Sequence, residues 1–182
     1  MAQERTIESQ RIYEGREVSL RVDAVHLPTG RRTKREVVEH ADCVAIVAID
    51  AKHNVVLVRQ FRKPVERMLL EIPAGGIELG EKPVDSAIRE LEEETGYRAG
   101  KVERLGGFFT SPGFCTEFMH IFLATELKPG RRGAKEDEVI EVVPTPLRQI
   151  PALIASGEIC DAKSIVGLFT ALPRYRDSTG SG

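Results

Sequence analysis

The chain has 182 residues, with 26 basic and 28 acidic side chains and a net charge of −2. This length fits one domain with a small appendage. The nearly neutral balance indicates no polyanion-binding surface, so we expect no nucleic-acid partner, although a local basic cluster could still face a phosphate ligand. The longest apolar runs fall far short of ~20 residues, so we expect no membrane span.

The cysteines indicate a reducing compartment. Cys43, Cys115 and Cys160 lie far apart and lack C-x-x-C spacing, which argues against a disulfide framework. Cys43 and Cys160 lie in apolar patterns and are expected in the core. The polar N-terminal residues do not form a signal peptide. We therefore expect a soluble, cytoplasmic protein.

The N-terminal region predicts an antiparallel β-hairpin. Residues 17–25 alternate polar and apolar side chains, as in a half-buried strand. The apolar residues that share one face are Val18, Leu20, Val22 and Ala24. A turn signal at 27–32 leads to a second strand at 35–40. Because an isolated hairpin is marginally stable in water, its apolar face needs a partner, either the rest of the chain or a second copy.

Strands and turns continue through the middle of the chain. The apolar run at 43–50 predicts a fully buried strand, and residues 54–61 are expected to pair with it as a hairpin. Residues 68–81 indicate a strand that runs into a Gly- and Pro-rich loop. Further strands are predicted around 104–109, 118–127 and 139–146, and helices at 146–157 and 161–172. The predicted organisation is an N-terminal β subdomain (1–40), a main domain (41–175) and a disordered tail (176–182).

A helix is predicted at 83–95, where Pro83 suits the first position and Gly96 the C-terminal cap. At ~100° per residue, an apolar stripe forms that is expected to face the core. Its members are Val84, Ala87, Ile88, Leu91 and Thr95. Glu90 and Glu94 flank one edge of this stripe. Glu93 lies further round the same side, and Glu92 falls on the opposite edge.

The pair Glu90 and Glu94 needs a counterion. Like charges four residues apart destabilise a helix by ~0.2–0.5 kcal/mol. Arg89 is placed to pair with Glu93, and no basic residue on the helix serves the other two. A hard divalent cation would satisfy them, whereas the plain alternative is a solvated acidic face. The glycines at 73–76 permit close backbone approach to such a site.

Together, Gly75, Glu81 and residues 89–97 resemble the Nudix box, G-x5-E-x7-R-E-U-x-E-E-x-G-U, where U is a bulky aliphatic residue. Every fixed position matches, and Tyr97 departs by being aromatic. The resemblance implies an α/β fold, an α/β/α sandwich around a mixed sheet, with the box forming loop–helix–loop. It also implies hydrolysis of a nucleoside diphosphate linked to another moiety, with Mg²⁺ or a similar ion such as Mn²⁺.

The same resemblance implies roles for the box residues. The implied metal ligands are Glu90 and Glu94, with Glu93 and the Ala74 carbonyl in addition. Glu81 is expected to support the site electrostatically. Arg89 is expected to hold a box glutamate in place.

Outside the box, the chain resembles the ADP-ribose pyrophosphatase branch of the family. Pro112 of the "SPGF" turn falls 15 residues after Tyr97, as in that branch. The other matching segments are "REVVEH" (35–40), "RQFRKP" (59–64), "LEIPAGGIE" (70–78) and "GEICDAKSIVGL" (157–168). This resemblance implies attack of a metal-activated water on ADP-ribose, giving AMP and ribose 5-phosphate. It also implies a homodimer that exchanges the N-terminal segment.

Substrate and proton-transfer residues follow from the same comparison. Gly75, Pro112 and Gly113 are expected at the substrate, and Arg62, and after it Arg59, could clamp phosphate oxygens. For both arginines the alternative is surface charge on an edge strand. The expected general base is a loop glutamate, first Glu138 and then Glu136, and the alternative is a solvated acidic loop.

Other functions stay open from sequence alone. A second nucleotide sugar such as GDP-mannose could be the substrate of the same fold. A non-catalytic, ligand-sensing Nudix module or a structural protein with an acidic helix are the alternatives from other classes.

Overall fold

The computed structural model describes residues 3–133 and 139–176. The strands are β1 (Arg5–Glu14), β2 (Val18–His26), β3 (Arg32–His40), β4 (Cys43–Ala48), β5 (Asn54–Arg62), β6 (Arg67–Glu71), β7 (Ala74–Gly76), β8 (Tyr97–Arg98), β9 (Lys101–Phe109), β10 (Phe118–Thr125), β11 (Lys128–Pro129) and β12 (Ile140–Pro146). The helices are α1 (Pro83–Thr95), α2 (Ile150–Ala155), α3 (Ala162–Ala171) and α4 (Pro173–Arg176), and short 3-10 turns cover Lys63–Val65 and Leu147–Gln149.

The chain divides into two compact units. The first joins the residues up to Asp42 with Phe108–Phe118, and the second joins Cys43–Gly107 with the chain from Met119 onward. The first unit therefore contains the predicted N-terminal segment together with the turn between β9 and β10. The tail at 177–182, predicted to be disordered, lies outside the described residues.

The first unit is a three-stranded antiparallel sheet in the order β1-β2-β3. The predicted hairpin of β2 and β3 is present, and β1 adds a strand that the polar N-terminal sequence did not predict. Val38 of β3 also pairs with the 108–118 segment. Its N–H donates to the Phe114 carbonyl at 2.7 Å, and its carbonyl accepts from Thr116 N–H at 3.0 Å. These bonds tie the distant segment to the sheet edge.

The better buried face of β2 is not the one predicted. Asp23 and Val25 are buried, whereas Leu20 and Val22 are only half-buried and Val18 is exposed. Asp23 is tolerated there because Ser9 donates to it at 2.6 Å, which meets part of its hydrogen-bonding demand. The apolar face of the sheet is thus left partly in solvent.

In the second unit, β4 lies between two neighbours of opposite direction. It pairs in parallel with β10 over six residues and antiparallel with β7 over three, and β9 flanks β10. A second sheet has the order β12-β5-β6 and is antiparallel, and β11 pairs with β8. The combination of parallel and antiparallel pairs confirms the predicted mixed sheet.

The prediction that β4 and β5 pair as a hairpin is wrong. A single bridge, Ile49 to Val55, joins them before they diverge into different sheets. Their closeness in sequence favoured local pairing. Strand β4 instead forms a long parallel pairing with β10, which is also apolar, at the centre of its sheet. Strand β5 pairs with β6 and β12 in the other sheet.

Helices cover both faces of β4. Val44, Ile46 and Ala48 form one buried cluster with Ala87 and Leu91 of α1. The alternate residues face the other way, because side chains alternate across a strand. There a Cβ placed on Gly167 of α3 would meet Val47, Ile72 and Ile121. This helix–sheet–helix layering confirms the predicted α/β/α sandwich.

Two smaller expectations concern the surface. Within the described residues, no helix combines the length and apolar character needed to cross a membrane. Cys43 is buried as predicted, but Cys160 is exposed. Its neighbour Ile159 is fully buried instead.

Candidate active site

Helix α1 begins and ends where the sequence predicted. Pro83 occupies the first turn, and Gly96 adopts the left-handed conformation with φ 74° while its N–H donates to the Glu92 carbonyl. Such a cap suits glycine because other residues are strained there. The buried stripe is rotated from the predicted one. Val84 is exposed, whereas Glu90 and Glu94 are buried.

Glu90 and Glu94 lie against β7, the short strand that precedes the helix. A Cβ on Gly75 would lie inside contact distance of the Cδ and both oxygens of Glu90, so only a glycine leaves room for that carboxylate. Glu94 Oε2 accepts a hydrogen bond from Ala74 N–H at 3.3 Å. The structure therefore brings together four residues that the sequence had assigned to the site.

Arg89 organises the carboxylates of the box. It donates to both oxygens of Glu81 at 2.9 Å, to Glu90 Oε1 at 2.6 Å and to Glu93 Oε2 at 3.4 Å. The expectation that no basic residue on the helix serves Glu90 was wrong. Four-residue spacing alone does not show that the long side chain of Arg89 can bend along the helix, so that its guanidinium reaches Glu90 and also Glu81 before the helix.

Glu81 is firmly ionised because of this arrangement. Its hydrogen bond with Arg89 lowers its pKa to about 2, against the opposing effect of burial, and the Glu78 N–H contributes further. Desolvation opposes the charge of Arg89, but its carboxylate partners, Glu81 first, raise its pKa well above the usual value. The pair thus carries full charge at any physiological pH.

The remaining glutamate of the run, Glu92, faces elsewhere. It accepts from Arg131 N–H at 3.1 Å and pairs with Arg98 at 3.3 Å. It therefore anchors the segment that follows β11 rather than the carboxylate cluster. Beside it, Gly133 donates its N–H to the Glu93 carbonyl at 3.2 Å. An open depression of about 470 Å³ lies along this side of α1, lined by Arg89, Glu93 and Arg131 among others.

Arg62 lies at the end of β5 and is held by a buried carboxylate. Its Nε and Nη2 donate to Glu71 Oε2 at 3.0 and 2.6 Å. Burial disfavours the charged guanidinium, but the hydrogen bonds to Glu71 outweigh this and raise its pKa, with smaller contributions from Glu94 and Asp161. The negative charge of Glu94, a predicted metal ligand, therefore favours the charged form of Arg62. Sequence reasoning missed Glu71, although its place within the segment at 70–78 was a signal.

The other predicted substrate residues are Arg59, Pro112 and Gly113. Arg59 pairs with Glu158 at 3.1 Å and with Glu141 at 3.8 Å, as a surface cation would. Pro112 and Gly113 belong to the first compact unit, whereas the carboxylate cluster belongs to the second. The predicted general bases, Glu138 and Glu136, lie outside the described residues.

The cluster fits a hard divalent cation. It offers carboxylate oxygens, the ligands that Mg²⁺ and Mn²⁺ prefer. Arg89 pairs with Glu81, Glu90 and Glu93, and Glu94 accepts a hydrogen bond from Ala74, next to the glycine that Glu90 approaches. Because two of these carboxylates are buried and one sits in a glycine cradle, a bound cation would lower the repulsion between them.

Comparison with known proteins bears on this geometry. A family model described as the NUDIX domain matches residues 39–165. The chain is 45% identical over 164 residues to an ADP-ribose pyrophosphatase of Bacillus subtilis, covering 89% of each chain. It is 42% identical to a methanol dehydrogenase activator of Bacillus methanolicus over 91% of each chain. It is 37% identical to a GDP-mannose pyrophosphatase of Klebsiella pneumoniae over 74% of this chain and 73% of that one.

A solved structure supports the fold. The crystal structure of an ADP compounds hydrolase superposes with a TM-score of 0.87, covering 98% of this chain and 96% of the other. At 23% sequence identity, this likeness concerns the fold alone.

Proposed function

The chain belongs to the Nudix family of hydrolases, and from this premise we propose that it cleaves the diphosphate of ADP-ribose to AMP and ribose 5-phosphate. The observation that carries the proposal is the pair of buried glutamates, Glu90 and Glu94, which lie against Ala74 and Gly75 of β7. The relative named an ADP-ribose pyrophosphatase supports the substrate, since its likeness extends over most of both chains.

The residues of the site have separate tasks in this proposal. Glu90 and Glu94, with Glu93 and the Ala74 carbonyl, hold the cation. A divalent cation there, Mg²⁺ in our proposal, would neutralise the diphosphate and lower the pKa of the attacking water. Arg89 fixes the Glu90 carboxylate, to which it donates at 2.6 Å.

The guanidinium of Arg62 would donate to a phosphate oxygen and stabilise the charge that collects there as the bond breaks. Gly75, Pro112 and Gly113 complete the proposed substrate contacts. Arg59 is the weaker candidate, because its guanidinium already pairs with two surface carboxylates.

For the general base we propose Glu138, with Glu136 as second choice. The described residue that supports this is Gly133, whose N–H donates to the backbone of Glu93. The chain thus reaches the carboxylate helix five residues before Glu138. Glu138→Gln and Glu136→Gln should each be assayed, and the base must lie elsewhere if both variants keep kcat within about threefold of the parent.

The metal role is tested by a matched pair of variants on one helix. Glu94→Gln removes a charge but little volume from the cluster, and we expect kcat/KM to fall by about 10²-fold or more because the cation loses a ligand. Glu92→Gln makes the same chemical change two residues away, where the side chain contacts Arg98 and Arg131. It should keep near-parental activity. Equal activity of parent and Glu94→Gln across a Mg²⁺ titration would refute the assignment.

A substrate panel tests the function itself. We expect kcat/KM to be higher for ADP-ribose than for ADP-glucose or GDP-mannose, with AMP as a product. A higher value for GDP-mannose would favour the alternative represented by the GDP-mannose pyrophosphatase relatives. No Mg²⁺-dependent hydrolysis of any of these compounds would favour a non-catalytic ligand-binding module.

Assembly and location complete the proposal. We propose a homodimer in which the N-terminal sheet contacts a second copy, because every residue of β1 is exposed, including Ile7, Ile12 and Tyr13. Burying such side chains is favourable by ~1.5–3 kcal/mol each when burial is complete. The proposed location is the cytoplasm, from the sparse cysteines.

A further inference from the structure

The segment "DAKS" (161–164) lies at the start of α3, and its hydrogen bonds and ion pairs have no role in the hydrolysis as proposed above. Asp161 caps the helix, since its Oδ2 accepts from Ser164 N–H at 3.1 Å. Ser164 is fully buried, and its Oγ accepts from Ile72 N–H at 2.9 Å. The first turn of α3 is therefore fixed against the backbone of Ile72, two residues before β7 begins.

Lys163 extends this contact to the side chains. Its ammonium lies 2.8 Å from Asp161 Oδ2 and 3.1 Å from Glu71 Oε2. The same Glu71 oxygen accepts both hydrogen bonds from Arg62. Glu71 is 2% exposed, so two cations that lie far apart in sequence, Arg62 and Lys163, share one buried carboxylate. The network runs from Asp161 through Lys163 and Glu71 to Arg62.

We propose that Lys163 is a positioning residue for Arg62, acting through Glu71 to set the guanidinium for a phosphate group of the substrate. The inference rests on the proposed function, in which Arg62 contacts the diphosphate. Lys163 itself need not touch the substrate, because its ammonium is engaged by Asp161 and Glu71.

Two physical effects give Lys163 this role. The ammonium holds the Glu71 carboxylate in one orientation, and the guanidinium of Arg62 follows because its planar donors have a fixed geometry. The ammonium also neutralises part of the buried carboxylate. Without it, Glu71 would depend on Arg62 among the described side chains, since an unpaired buried charge is costly. The guanidinium would then be held back from the phosphate, so both effects predict weaker substrate binding.

The test is a double-mutant cycle on the full-length protein with saturating Mg²⁺. We expect Lys163→Met to raise KM for ADP-ribose by about tenfold, as for loss of a charge-assisted contact, and to change kcat by less than about threefold. In an Arg62→Met background, the same substitution should raise KM no further, because the two residues act as one unit. Lys163→Arg should recover part of the loss.

Controls separate positioning from general stability. Arg174→Met removes another cation that pairs with a carboxylate, that of Glu103, on an exposed surface, and should leave KM unchanged. Lys163→Gln keeps a hydrogen-bond donor without the charge and replaces Lys163→Met if that variant does not fold. A structural role alone would lower the melting temperature and the active fraction without a selective rise in KM.

Two kinetic results would overturn the inference. One is an unchanged KM in a folded Lys163 variant, and another is a rise that persists undiminished without Arg62. If the parent hydrolyses no ADP-ribose, the proposed function fails separately. In that case, calorimetric titration with ADP tests the positioning role. An equal Kd for the parent and Lys163→Met, or no binding of ADP by the parent, would overturn it.

Discussion

At the scale of single residues, Gly75 shows how the absence of a side chain shapes the site. A Cβ at this position would collide with the carboxyl group of Glu90, whereas a Cβ on the neighbouring Gly76 would meet nothing within 4 Å. Of these two adjacent glycines of β7, only Gly75 lies where a side chain would meet another group. Gly75 leaves space for a carboxylate that Arg89 holds from the other side.

Gly75→Ala should therefore separate activity from stability. The atom that the new methyl group meets is the end of a flexible side chain, so the fold can adjust by displacing the Glu90 carboxylate. Because displacement of a reacting group by ~1 Å can cost about 10²-fold in rate, we expect kcat/KM to fall by about that factor while the melting temperature stays nearly parental. The measurements are Mg²⁺-dependent kinetics and thermal unfolding.

Gly76→Ala is the matched control and should keep most of the activity. If both alanine variants were equally active, the close approach of Gly75 to Glu90 would have no functional consequence. If both were equally inactive, backbone freedom of β7 rather than space for the carboxylate would be the cause.

The same scale shows what a single sequence could predict. The pair Glu90 and Glu94 emerged from helical spacing, because positions four apart lie on one face. The partners of Arg89 were only partly predicted, since its contact with Glu90 depends on the path of the side chain. The bond between Lys163 and Glu71 joins residues far apart in sequence. It required knowledge that α3 packs beside the end of β6, which no local pattern contains.

At the scale of elements, the turn between β4 and β5 was predicted correctly, but the pairing of these two strands was predicted wrongly. Asp50 accounts for the turn. Its Oδ1 accepts from the N–H groups of Lys52 and Asn54 at 2.8 Å each, and its Oδ2 accepts from Asn54 Nδ2 at 2.9 Å. Such side-chain-to-backbone bonds make aspartate a turn residue. They specify the reversal of the chain but leave open which strands become neighbours.

The Asp50 turn gives stability a defined pH dependence. Burial of the carboxyl group opposes ionisation, but the hydrogen bonds from Asn54 and Lys52 outweigh it, so the pKa of Asp50 lies below its ordinary value of 3.8. A lowered folded-state pKa contributes stability above the ordinary value, and this is lost as the pH falls through the lowered one. We expect Asp50→Ala to lose about 1 kcal/mol of unfolding free energy at pH 7, and the difference from the parent to shrink below pH 3.8.

Urea unfolding of parent and variant between pH 2 and pH 7 measures this. Asp50→Asn retains an oxygen for the two backbone N–H groups and should lose less at neutral pH. A difference between parent and Asp50→Ala that stayed constant over the whole range would show that ionisation of Asp50 plays no part.

At the scale of the whole molecule, the N-terminal sheet is more exposed to solvent than is usual for a sheet of a folded protein. All ten residues of β1 are exposed, and the half-buried Leu20 and Val22 of β2 lie on the face shared by Tyr13. An exposed sheet with apolar residues is an unusual surface for a monomer. The sequence already indicated this need, since the predicted hairpin had an apolar face without a partner. The identity of that partner was a matter of family resemblance alone.

The proposed dimer is best tested on β1 itself. Ile12 and Tyr13 are 52% and 58% exposed, and Ile12→Asp with Tyr13→Asp would place two charges where a second copy is proposed to bury apolar surface. Because burying an unpaired charge is strongly unfavourable, we expect the parent to sediment as a dimer and this variant as a monomer. Phe169→Asp is the matched control. Phe169 is 51% exposed but lies on α3, so its variant should remain dimeric, and a parent that sediments as a monomer would refute the assembly.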